Sequence, residues 1–443
     1  MDKGALKKRF SELGASFRIV PEDAEVLLSL RDGSRAPEAR ELFYGALNGL
    51  ERHFSVFIKG MPFCFMPDAR DHILYRALPG RSYKRVGQCR GCSLKALCPG
   101  VEAGSVFSGK LRGELRPVLP VPGELVFELT KRCNLACAVC ATSRTEEELP
   151  AKKLEATLKE AAALGIKNAR FTGGEPFLSP NLLPLLKSAR KKGFYTLVNT
   201  NATAGSDLAA AAPFIDNVLV SLQGHDAASD AAATGRKGLF GLKLSNMRAL
   251  RRSVPVFRLG TVASAVLIKN FKAFYALASE LGADVWEIYR PMRGGAGPRS
   301  GAVSPAHIKR LSSMINGLPG SGPRVLIANP VPLCLVPSHE RKNLLGAGFD
   351  DGHTRLVADP RGFFKPSYYI EENLGTGITE ALEAAYMKEL RAFGWLAPGC
   401  RKCRWLLKCL GGSRLLAKAA AGSYFGNDPW LPDAAAKRNR APR

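Results

Sequence analysis

Three cysteines, Cys133, Cys137 and Cys140, stand at C-x3-C-x2-C spacing in the stretch Cys133-Asn134-Leu135-Ala136-Cys137-Ala138-Val139-Cys140. Three thiolates on one short loop can hold three irons of a 4Fe–4S cluster and leave the fourth iron without a protein ligand. A cluster that only carries electrons is usually held by four cysteines. An open metal position is what catalytic metal sites keep for a bound ligand. The other chemistry this loop admits is a zinc site. A second stretch, Phe171-Thr172-Gly173-Gly174-Glu175-Pro176, lies further on. Adjacent glycines let the backbone approach a ligand closely. Glu175 can accept a hydrogen bond from an ammonium group.

Both stretches follow strand-like runs. Glu124 to Thr130 alternates apolar and polar residues just before the cysteines, and Asn168 to Phe171 precedes the glycines. The same reading places strands near 124–130, 168–172, 195–200, 217–222, 258–266 and 284–290. Helical patterns fall between them, as in Lys152 to Leu164 and Asn181 to Lys192. Strands alternating with helices imply an α/β fold with a parallel sheet and helices outside it. The chemistry then belongs at the C-terminal ends of the strands. The Pro/Gly-rich stretches Arg116 to Gly123 and Gly317 to Arg324 mark the boundaries of this region.

The two motifs in this order resemble the radical S-adenosylmethionine (SAM) enzymes. Their hallmark is C-x3-C-x2-C after the first strand of a barrel and G-G-E-P after the second. The resemblance covers roughly Val121 to Asn316. It implies a partial (βα)6 TIM-like barrel and a 4Fe–4S cluster on Cys133, Cys137 and Cys140, with SAM bound through its amino and carboxylate groups to the open iron. It implies further that Gly173, Gly174 and Glu175 hold the methionine part of SAM. Asn201 and Ser221, at the ends of the third and fourth strands, would reach the ribose hydroxyls, although either could instead cap the following helix. The common family pattern Ser-Leu-Asp-Gly after the fourth strand is Ser221-Leu222-Gln223-Gly224 here, so no role of an acid carries over to Gln223. Arg290, at the end of the sixth strand, is read as a contact to SAM carboxylate or substrate, or as a surface ion pair. The implied activity is reductive cleavage of SAM to methionine and a 5′-deoxyadenosyl radical, which takes a hydrogen atom from a substrate. An electron donor of the flavodoxin or ferredoxin type would be needed. No catalytic side chain is assigned beyond the cluster and SAM.

The remaining cysteines form two sets with one plan. Cys64 is followed after 24 residues by Cys89, Cys92 and Cys98; Cys334 is followed after 65 residues by Cys400, Cys403 and Cys409. Each set reads Pro-x-Cys, a gap, then C-x2-C-x5-C with glycine soon after. With the central loop they account for all 11 cysteines in the chain. Four thiolates suit either an iron–sulfur cluster or a structural zinc. The C-terminal set resembles the SPASM or twitch extension of radical SAM enzymes. Ser413 stands where the cysteine of its Gly-Gly-Cys would be, and Ser367 ends the stretch from Gly362 where another cysteine would fall, so a full two-cluster set is absent. The resemblance implies one or two auxiliary 4Fe–4S clusters and a peptide or protein side chain as substrate. The alternatives are a small-molecule or cofactor-biosynthesis enzyme, a non-catalytic iron–sulfur electron carrier and an RNA-modifying enzyme.

The chain has 443 residues, enough for two or three domains, and a formal net charge of +25. Such a balance favours an anionic partner, and an acidic peptide fits it. No RNA-binding motif stands out, so nucleic acid is not the expected partner. There is no apolar run of about 18 residues and no apolar core of a signal peptide. No membrane span is expected, and a cytoplasmic location is. The expected organisation is an N-terminal helical segment (1–60, with Ala24 to Arg31 and Ala36 to Leu50 helical), an N-terminal four-cysteine module (61–115), the partial barrel (121–316), a C-terminal cluster domain (325–425) and a basic tail (426–443).

Overall fold

A computed structural model describes residues 2–30, 35–140, 144–204, 206–292, 303–347 and 352–432. The first sixty residues are not the helical segment expected. Helix α1 (Lys3–Glu12) leads into strands β1 (Ala15–Val20) and β2 (Glu25–Leu30), helix α2 (Ala36–Glu51) and strand β3 (Ser55–Lys59). Ala36 to Leu50 is helical, as its spacing requires, but Ala24 to Arg31 is not. Its apolar run starts after a left-handed residue, Ala24 at φ 47°, and is one strand long. It pairs on both sides, antiparallel to β1 and parallel to β3. A short run bonded on both edges gains more from a sheet than from a single helical turn and a half. Strand β4 (Ile73–Leu74) completes a sheet in the order β1-β2-β3-β4.

The main sheet begins after the proline-rich stretch. Its strands and helices are β5 (Glu124–Thr130), α3 (Ala151–Ala163), β6 (Asn168–Gly173), α4 (Leu182–Lys191), β7 (Tyr195–Thr200), β8 (Asn217–Ser221), α5 (Ala227–Thr234), α6 (Phe240–Ser253), β9 (Val256–Val262), α7 (Phe271–Glu280), β10 (Val285–Tyr289), α8 (Pro305–Asn316), β11 (Arg324–Ala328), β12 (Arg355–Ala358) and β13 (Phe364–Lys365). The order is β11-β10-β9-β8-β7-β6-β5-β12-β13. All pairs are parallel except β12 with β13. Strands β5 to β10 are the six of a partial barrel, and β11 and β12 extend it at the two edges. The strand expected over 258–266 stops at Val262, because the Ser264 hydroxyl accepts the Leu267 N–H at 3.2 Å and starts a short helix, Ala265–Lys269.

The alternation in β5 has a physical source. Leu125, Phe127 and Leu129 are fully buried in one core with Leu154 and Leu158 of α3. Each such side chain contributes about 1.5–3 kcal/mol by leaving water. The other face carries Glu124 and Glu128. Neighbouring strands add Arg170, Asn199, Arg258 and Glu287 to the same interior, with Glu128 among the residues that line it. The inside of this barrel is therefore charged, where a closed TIM barrel packs branched apolar side chains.

A second core joins parts of the chain far apart in sequence. Phe63 and Phe65, beside Cys64, share it with Leu396, Ala397, Cys400 and Leu410. Trp405 meets Phe57 edge to face at 4.7 Å, and Arg404 bonds Glu25 at 2.8 Å. Of the basic tail expected over 426–443, residues 433–443 lie outside those described. Among the described residues no helix is long and apolar enough to cross a membrane.

Candidate metal and cofactor site

The cysteine loop leaves the end of β5 and docks on the end of α5. The Ala136 N–H bonds the Thr234 carbonyl at 2.8 Å, and the Ala138 N–H bonds that of Ala233 at 3.0 Å. Gly235, at φ 69°, makes this approach possible: a Cβ there would come within 2.9 Å of Ala136. Cys133, Cys137 and Cys140 all face one cavity of about 340 Å³. Its wall also includes Gly173 and Gly174 at the end of β6, Asn201 just beyond β7, and Ser221 at the end of β8. The structure thus gathers the loop and both strand-end residues into one place.

The two glycines are required by crowding. A Cβ on Gly173 would sit 2.1 Å from the Thr130 carbonyl oxygen, and one on Gly174 would sit 2.2 Å from that of Arg132. Both contacts are with the backbone entering the cysteine loop. Glu175 makes a set of protein contacts beside the cavity. It does not line the cavity; its buried carboxylate accepts the Thr200 hydroxyl and the Asn201 N–H, both at 2.7 Å, and the Phe177 N–H at 3.3 Å. Burial pushes its pKa up to about 7, against the pull of these donors. Glu175 ties the strand end that carries Asn201 to its own turn.

Asn134, inside the cysteine motif, completes that link. Its Oδ1 accepts from Asn201 Nδ2 at 2.8 Å and its Nδ2 donates to Thr203 Oγ1 at 2.7 Å. The Asn201 Oδ1 accepts the Thr203 N–H at 2.9 Å. Gln223, in place of the family acid, holds β9 by accepting the Val262 N–H at 3.2 Å. Lys243 also reaches the cavity wall, paired with buried Asp230 at 2.6 Å. Sequence reasoning missed Lys243 because it sits in the first turn of α6 with no motif around it. Arg290 is not at the surface. It is buried, donates to Asp428 at 2.7 and 3.1 Å, and stacks under Trp430 at 3.5 Å.

None of the eleven cysteines is in a disulfide. Burial raises the Cys137 thiol to about 11, with Cys133 and Cys140 adding to the shift. Burial likewise raises Cys64 to about 12, with Cys98, Cys89 and Cys92 close enough to contribute. Cys409 is pushed to about 12 by burial and by Cys334, Cys400 and Cys403, while the Leu333 N–H points at its sulfur from 3.4 Å. Each set expected from the sequence is therefore together in space. Among the described residues no three such side chains converge tightly enough to hold a single metal ion. The two outer sets also share a local design. Cys64 and Cys334 each sit in a short 3-10 turn after a proline (Phe63–Phe65 and Leu333–Leu335), followed by a second turn (Pro67–His72 and Ser338–Asn343). Ser413 is no ligand stand-in: its hydroxyl accepts the Leu416 N–H at 3.2 Å and caps a helix, α9 (Arg414–Ala421). Ser367 is buried and accepts the Tyr369 N–H at 3.2 Å.

Residues 127–273 match the model of the Radical SAM superfamily. The barrel is a radical SAM domain. Curated relatives of the chain include the PqqA peptide cyclase of Methylorubrum populi, 27% identical over 330 residues, which covers 70% of this chain and 85% of the relative. That of Streptomyces rochei is 27% identical over 332 residues, covering 71% and 90%. Among solved structures, Streptococcus suis SuiB bound to its precursor peptide SuiA is similar over 96% of this chain and 99% of its own, at 14% identity and a TM-score of 0.58. SuiB bound to S-adenosylmethionine is similar over 71% and 78%, at 18% identity and a TM-score of 0.57. At these identities the structures bear on the fold alone. The radical SAM family implies a 4Fe–4S cluster and SAM, and the loop, the crowded glycines and the cavity beside them fit both.

Proposed function

We propose that the chain is a radical SAM enzyme that modifies a peptide or a protein side chain. The observation that carries this is the convergence of Cys133, Cys137 and Cys140 with the Gly173-Gly174 edge, Asn201 and Ser221 on one cavity at the strand ends. Cys133, Cys137 and Cys140 would hold a 4Fe–4S cluster and the cavity beside them SAM, and together these would supply the one-electron chemistry that removes hydrogen from a substrate. The three thiolates hold three irons, and the Asn134–Asn201–Thr203 contacts fix their loop against β7. Backbone groups at Gly173 and Gly174 hold the methionine part of SAM, and Asn201 and Ser221 its ribose. Tyr368 and Tyr369, from the segment after β13, cover the cavity and restrict water. Cys334, Cys400, Cys403 and Cys409 hold an auxiliary cluster, as do Cys64, Cys89, Cys92 and Cys98. Four thiolates in each set would suit such a cluster, and a structural zinc is the other group they could hold. A flavodoxin- or ferredoxin-type donor supplies the electron.

The peptide reading is supported by the relatives named PqqA peptide cyclase and by the fold shared with a peptide-bound protein. The test uses anaerobically reconstituted protein, reduced in the presence of SAM and of the peptides encoded beside its gene. Release of methionine and 5′-deoxyadenosine together with a change in peptide mass is expected. SAM cleavage with no peptide changed would turn the reading to a small-molecule enzyme. Absence of cleavage in fully iron-loaded protein would leave a non-catalytic iron–sulfur protein.

A further inference from the structure

Polar groups of the barrel interior remain without a hydrogen-bond partner among the described residues. Among the described residues that line the cavity and their ion-pair partners, Lys243 is matched by Asp230 and Arg290 by Asp428. Lys131, Lys365 and Arg361 are matched by Glu128, Asp359 and Glu371. Among the described residues, Arg170 and Arg355 meet Glu124, and Arg258 meets Glu287. Both carboxylates are engaged through both oxygens. Glu124 takes Arg170 through both oxygens, at 3.0 and 2.8 Å, and Arg355 at 2.9 Å. Glu287 takes Arg258 on one oxygen and the Tyr289 hydroxyl on the other. Arg258 spends its Nε on Asn217 at 2.7 Å. Its Nη2 is buried with no partner among the described residues. The Tyr368 hydroxyl is in the same condition, and its ring lies 5.6 Å from the Arg355 guanidinium. Burial holds that phenol above its ordinary range, so it remains a neutral donor. Arg258 and Tyr368 line the same cavity as the cysteines.

A buried cation is retained when something pairs it, and a donor left without a partner is costly. We infer that the barrel interior binds a carboxylate of the substrate through Arg258 Nη2 and the Tyr368 hydroxyl. By strand register Arg258 is level with Glu128, Thr172, Asn199 and Leu219, one layer below Gly260, Ser221 and Asn201. The subsite is thus deeper than the strand ends assigned to SAM. The inference rests on the radical SAM reading and narrows its substrate to one presenting an acid. The acid can be a side chain or a chain terminus.

The test uses reconstituted, SAM-loaded protein in equilibrium dialysis with three labelled probes. N-acetylglutamic acid N-methylamide carries a side-chain carboxylate, N-acetylalanine a terminal one, and N-acetylglutamine N-methylamide none. One of the acids should bind about tenfold tighter than the neutral amide, as a charge-assisted bond to arginine would give. R258Q should abolish that preference, R258K should keep part of it, and Y368F should lower it about three- to tenfold. The affinity for labelled SAM should be the same in all four proteins. Iron content and near-ultraviolet circular dichroism report whether R258Q is folded; if it is not, Y368F, which loses only a hydroxyl, carries the test. The inference is overturned if neither acid is preferred, if the preference survives R258Q, or if R258Q weakens SAM instead, which would make the subsite that of SAM. Acid preference without any peptide modified would defeat the peptide reading alone, and modified peptides without acid preference would defeat this inference alone.

Discussion

Burial raises the Glu175 pKa from its ordinary 4.5 to about 7, although three donors surround the carboxylate. The native state then keeps a proton that the unfolded chain releases between those two values. Stability should fall as pH rises through that window, by about 2–4 kcal/mol in all. E175Q cannot ionise, so its stability should lack this decline, though it starts lower because its amide would face the Asn201 N–H. Chemical denaturation of both proteins at pH 5 and pH 8 reads the difference; equal slopes would mean Glu175 is ionised throughout. The residue types at the site were legible in the sequence, because three cysteines and two glycines at fixed spacing leave few alternatives. The contacts of Glu175 with Thr200 and Asn201 were not, since spacing cannot tell which strand end a buried carboxylate meets. Gly174 makes a sharper case. A methyl group in G174A would press against the Arg132 carbonyl from 2.2 Å. The loop that carries the cysteines must then shift, and SAM affinity should drop more than about tenfold, since displaced contacts of this kind cost 1–3 kcal/mol or more.

At the scale of elements, the barrel strands were readable because their two faces differ. In β5 the residues under the helices are leucine and phenylalanine, and the other face carries glutamate, threonine and a single valine, so a period of two is visible. The same reading failed at Glu25–Leu30, where leucines occupy both faces of a strand bonded on both edges and the period is lost. It also passed over β11 and β12, which lie beyond the six strand–helix units. What the pattern could not show is how separate elements are tied together. Asn134 is such a tie, reaching from the cysteine loop to Asn201 and Thr203 beyond β7. N134A removes both bonds and leaves all three thiols in place. The expected outcome is a looser loop: the iron bound by Cys133, Cys137 and Cys140 should become chelatable several-fold faster, with the outer sets unchanged. A chelation time course on the variant and the parent, followed by the cluster absorbance, would separate this from a purely local change, which would alter no rate.

On the scale of the whole molecule, the two outer cysteine modules are distant in sequence but not in the fold. Cys400 lies in the same core as Phe63 and Phe65, and Ala347 bonds the Lys408 carbonyl at 2.9 Å beside them. Their local turns repeat one another, yet their cores are not independent. Thiols raised to about 11 and 12 do not ionise at neutral pH unless a metal stabilises the thiolate, so a metal in either module would relieve crowded, buried sulfur. Loss of metal from one side should then loosen the apolar layer that supports the other. In C400A/C403A protein the C-terminal set can no longer hold a cluster. If the modules were autonomous, reconstituted iron would fall by about four per chain, the content of one cluster. The shared core predicts a loss nearer eight, with the segment around Cys89 becoming open to protease while the barrel stays resistant. The reciprocal variant, C89A/C92A, should produce the same loss from the other side, because a core shared by two modules transmits strain in both directions.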